Sequence, residues 1–88
     1  MRQLRARIVD CTTGMAPREL KWHARLLCEE MLGVNRVGVV RTSGTNANRG
    51  PTEVAVGVYA VHEGDEEKAR AFFEALAIDL GGRAVVQE

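Results

Sequence analysis

Residues 36–62 read Arg-Val-Gly-Val-Val-Arg-Thr-Ser-Gly-Thr-Asn-Ala-Asn-Arg-Gly-Pro-Thr-Glu-Val-Ala-Val-Gly-Val-Tyr-Ala-Val-His. The first seven are short and β-branched, which predicts a strand over 36–42. Residues 53–62 predict a second, longer strand. Between them, residues 43–52 hold Ser, Gly, Asn and Pro, the composition of a loop. Two consecutive strands joined by one loop most simply form a hairpin.

Both flanks of this hairpin carry a helix and then a strand. Upstream, Leu20, Ala24, Leu27, Cys28, Met31 and Leu32 recur at three and four, which predicts a helix of about 16 residues. Pro17 suits its first turn and Gly33 its C-terminal cap. Trp22, Arg25 and Glu29 fall on its other side. Before it, residues 3–11 alternate: Leu4, Ala6 and Ile8 take one face, Arg5, Arg7 and Val9 the other. Downstream, Ala69, Phe72, Phe73, Leu76, Ala77 and Leu80 mark a second helix. Asp65 is placed to cap it, and Gly81-Gly82 stop it. Residues 83–87 predict a last strand.

The order β-α-β-β-α-β in 88 residues gives one α+β domain over 1–88. The economical packing is a ferredoxin-like split βαβ sandwich, a four-stranded antiparallel sheet in the order 4-1-3-2. Right-handed crossovers put both helices on one sheet face. The other face should be polar, yet the third strand is apolar or small on both sides. Val54, Val56, Val58 and Ala60 point one way; Ala55, Gly57, Tyr59 and Val61 point the other. Val37 and Val39 oppose Gly38 and Val40 with the same result. An open face of this kind wants covering, by a second copy or another protein. Tyr59, Val58, Val61 and Val40 are its candidate contacts, and Trp22 is a candidate anchor on the first helix.

Charge sums to zero but is uneven. Residues 1–50 hold nine Lys and Arg against four acids, and residues 51–88 hold three against eight. Zero net charge excludes a coat of nucleic acid by bulk charge. It leaves a local surface: Arg5 and Arg7 on the open face, Arg41, Arg49, Asn46 and Asn48 around the loop, and Tyr59 beside them. The simpler expectation is that these arginines pair with Glu53, Glu63 or a partner's acids, since adjacent strands readily offer such pairs. In layout the chain resembles an RNA-recognition motif, with Arg49-Gly50 before a strand, a helix from Glu63 to Leu76 and Gly82-Arg83 before the last strand. That family stacks bases on aromatics of its first and third strands. Here the third offers Tyr59 and the first offers none. Residues 17–59 are similar in pattern to a small-subunit ribosomal protein of archaea and eukaryotes, through Pro17, Leu32-Gly33-Val34, Val39-Val40 and Tyr59. The acylphosphatases are similar in size and order, but their Gly-Val-Gly-Phe-Arg cradle falls poorly on Gly14-Met15-Ala16-Pro17-Arg18.

Reactive constellations are sparse. Cys11 and Cys28 lie 17 apart, with neither His23 nor His62 at metal-ligand spacing. They read as two small apolar residues, with a disulfide or a reactive thiol as the alternative. Cys28 and His23 sit on different sides of one helix. Neither a catalytic pair, a metal nor a cofactor is expected. With neither an apolar leader nor a membrane-length apolar run, a cytoplasmic setting is expected. The expected function is a small non-enzymatic module that works by protein–protein contact, including self-association through the open sheet face. A regulatory, adaptor or inhibitor protein of a bacterium or its phage fits that description. The alternative is binding of RNA or single-stranded nucleic acid.

Overall fold

A computed structural model describes residues 2–12, 16–33, 36–46 and 50–87, with backbone alone at 17, 40–46, 50–52 and 60. The elements are β1 (Arg2–Val9), α1 (Pro17–Leu32), β2 (Val37–Asn46), β3 (Gly50–Val61), α2 (Glu66–Leu80) and β4 (Arg83–Gln87). One 3₁₀ turn, Glu63–Asp65, leads into α2. The sheet order is β2-β3-β1-β4, the expected order read from the other edge, and every neighbouring pair is antiparallel.

Alternation in β1 places Leu4, Ala6 and Ile8 in the core and leaves Arg5 and Arg7 exposed. Leu20, Ala24 and Cys28 of α1 and Phe72, Phe73, Leu76 and Leu80 of α2 fill the same core, so both helices cover one sheet face. Pro17 opens α1, and Gly33 closes it in the left-handed region with its N–H bonded to Glu29 O at 2.9 Å.

Three expectations change. First, most of the supposed loop over 43–52 is strand. Ser43 pairs with Glu53, Thr45 with Pro51 and Asn46 with Gly50, after one extra residue in β2 between Arg41 and Ser43. Beyond Val54, β3 has only β2 as a neighbour, since β1 has ended at Ile8 and Val9. Pro51 has no N–H for a second ladder and needs none on a two-stranded ribbon. Second, Asp65 makes no side-chain cap. Its Oδ1 lies 3.7 Å from Lys68 Nζ instead.

Third, Val58 and Val61 do not face out. Arg2 pairs with Val61 and Leu4 with Val58, so three steps along β3 match two along β1. The extra residue is a bulge that rotates the strand end by one face. Val58, 0% exposed, follows Val54 and Val56 into the core by ordinary alternation, and the bulge turns Val61, 4% exposed, the same way. Their expected role as sheet-face contacts is therefore corrected, and Tyr59 remains outside.

Candidate partner-binding surface

The open sheet face is built from cross-strand rows. Gly38, Gly57, Arg5 and Gln87 form one row across all four strands. Gly38 leaves room for the ring of Tyr59: a Cβ there would sit 2.7 Å from Tyr59 Oη. Tyr59 thus lies against bare backbone yet stays 47% exposed. Gln3, Arg5, Gly57 and Tyr59 line a shallow recess of about 300 Å³.

The two central arginines part ways. Arg7 Nη2 lies 2.5 Å from Glu53 Oε1. Arg5 donates only to Gln3 Oε1, at 3.4 Å, and has no carboxylate partner among the described residues. Other polar contacts also join the basic first half of the chain to the acidic second half. Arg2 meets Glu66, and His23 Nε2 lies 2.7 Å from Asp79 Oδ2 between the helices. Exposed pairs of this kind contribute under about 1 kcal/mol each. Of the remaining candidates, Val40, Arg41 and Asn46 lie on β2 with side chains outside the description, and Asn48 and Arg49 lie outside the described residues.

The other surface is on α1. Its stripe turns Leu20, Ala24 and Cys28 inward, which sets Trp22 opposite the core at 63% exposure. Arg18, Glu19, Lys21 and Arg25 surround it, bounding a recess of about 450 Å³. Among the described residues, Arg18, Lys21 and Arg25 have no carboxylate partner. Sequence spacing placed Trp22 and Arg25 on this face.

Cys11 and Cys28 are free and buried. Cys11 Sγ lies 3.6 Å from Ile8 O. Burial pushes both thiols above the ordinary range, with nearby acids adding to it. The folded chain therefore holds its thiol protons where the unfolded chain releases them. That contribution to stability is full below the ordinary thiol pKa and is lost as pH rises above it. The expected result is slow labelling of both cysteines by iodoacetamide in the native protein at neutral pH, and rapid labelling in urea. Mass spectrometry over time checks it. Fast native labelling of either would show an accessible thiolate.

Among the described residues, no helix is long and apolar enough to cross a membrane. Comparison with known protein families, with curated proteins and with solved structures finds no significant match to this chain.

Proposed function

We propose that this chain is a non-enzymatic protein-binding module, acting as a regulatory, adaptor or inhibitor protein. The observation that carries this reading is Trp22, exposed on α1 beside Arg18, Lys21 and Arg25, which have no carboxylate partner among the described residues. Trp and Arg dominate the energetics of protein interfaces because they combine large apolar area with directed polar contacts. Tyr59 and the half-exposed Val85 offer further contact on the open face. Self-association through that face has lost Val58 and Val61, and the reading does not need it. Two free thiols are in keeping with a reducing, cytoplasmic setting.

The test is affinity capture from the source cell with three baits: wild type, Trp22→Ala and Ile78→Ala. Ile78 is 76% exposed on α2 and controls for general stickiness. A protein retained by wild type and Ile78→Ala but lost by Trp22→Ala is the expected result. Equal retention by all three, or none by any, would sink the reading.

One observation favours a second reading, nucleic-acid binding: Arg5, with no acid partner among the described residues, lies in the same recess as Tyr59. A stacking ring beside a free cation suits single strands. Fluorescence anisotropy of labelled single-stranded RNA and DNA across salt concentrations decides it. Micromolar binding that falls steeply with salt, and that Arg5→Gln weakens, would replace the first reading.

A further inference from the structure

The sheet has two edges, and they differ. β4 is five residues long, whereas β2 is ten. Tyr59 donates its backbone N–H to Arg36 O at 2.8 Å. Antiparallel pairs alternate, so the main-chain groups of Gly38 also face β3, and those of Val37 and Val39 face outward. Val37 and Val39 turn their side chains to the helix side, where Val39 is buried and Val37 packs on the core. Lys21 and Arg25 of α1 share a recess of about 300 Å³ with Val37, Gly38 and Val39. Among the described residues, the longer edge therefore has no strand on its outer side, and the two cations beside it have no carboxylate partner.

We infer that an extended segment with acidic side chains at alternate positions adds to the outer edge of β2, its main chain on Val37 and Val39 and its carboxylates on Lys21 and Arg25. This rests on the protein-binding reading and names the partner's chemistry. Residues of an added strand opposite Val37 and Val39 share their face, and so lie on the side of α1. The spacing matches as well. Lys21 and Arg25 are about 6 Å apart along a helix axis, and alternate strand residues are about 6.6 Å apart. A second copy is a poor occupant: pairing β2 with β2 would set Lys21 and Arg25 of one protomer against the same cations of its partner. The cations thus guard the edge against self-pairing and select an acidic strand.

The experiment titrates the full chain into a short labelled peptide of alternating valine and glutamate, and into its valine–lysine counterpart. The glutamate peptide binds and the lysine peptide does not. Lys21→Glu with Arg25→Glu weakens the first by about tenfold or more and admits the second. Both positions are exposed, and circular dichroism confirms that the variant folds. In the bound protein the amides of Val37 and Val39 exchange more slowly, read by NMR. Equal binding of both peptides, binding of neither, protection confined to the open face, or displacement of the peptide by oligothymidine overturns the assignment. If the glutamate peptide fails while Trp22-dependent capture succeeds, the β2 edge is refuted and the protein-binding reading stands. Failure of the wild-type bait to retain any protein, or retention that Trp22→Ala does not change, refutes that reading.

Discussion

Val58→Glu destabilises the protein severely, whereas Tyr59→Glu costs it little. The two residues are adjacent in β3, and their opposite fates measure which face the strand buries. Val58 has no exposed surface and sits between Leu4 of β1 and Val37 of β2 in register. A carboxylate there loses its water and gains no cation. The cost is about 4 kcal/mol or more. A chain of 88 residues has a total stability of roughly 4–13 kcal/mol, so the variant loses about a third of it or more. Tyr59 is half exposed, and its replacement forfeits mainly the contact with Gly38, about 1 kcal/mol. Urea titration followed by circular dichroism reads both. Similar midpoints for the two variants would mean that the face assignment of β3 is wrong.

Gly82→Ala destabilises the fold by about 3 kcal/mol, more than Gly81→Ala does. The two glycines stand together but serve different needs. Gly81 has φ 71° and ends α2 with its N–H on Ile78 O at 3.1 Å. Alanine there meets backbone strain of about 1 kcal/mol. Gly82 meets a crowd instead. A Cβ on it would lie 2.3 Å from Val9 O, 3.3 Å from Asp10 C and 3.2 Å from Cys11 N. These are main-chain atoms that cannot rotate away. Asp10 takes φ 58°, so the chain leaving β1 bends at this point, and Thr12 N then reaches Leu80 O at 3.0 Å. The chain after β1 and the end of α2 are therefore pinned together. Thermal unfolding of both variants checks the ranking, and a Gly82→Ala no worse than Gly81→Ala would contradict this packing.

That contrast also shows how far sequence reading reaches. Gly81-Gly82 was legible as a helix stop, but nothing local separates the glycine needed for its φ from the one needed for its size. Leu4, Ala6 and Ile8 disclosed their face because Arg5 and Arg7 stand between them. In β3 no charge marks a face after Glu53, so a one-residue bulge that reverses Val61 leaves no trace in the pattern. The ribbon over 43–46 and 50–53 is held by backbone pairing, to which side-chain composition is nearly blind. The candidate surface was half visible. Trp22 was placed by helical spacing alone. The pairing of Arg7 but not Arg5 with a carboxylate needed the strand register, and the position of Lys21 and Arg25 beside β2 needed the whole topology.

β1 comes first along the chain but lies in the middle of the sheet, and this governs the order of assembly. The β2–β3 hairpin closes over a few residues, a step of microseconds. β1 must wait for two distant neighbours: Leu4 pairs with Val58, and Arg5 with Gln87. Each closure over a longer loop costs more chain entropy, so these ladders form late and set the folding rate. During synthesis β1 emerges first and stays without its β4 neighbour until residues 83–87 appear. Until then the edge of β1 that β4 will cover stays open, even once β3 has paired with the other. The nascent chain therefore carries this open edge, a site for aggregation, until β4 docks.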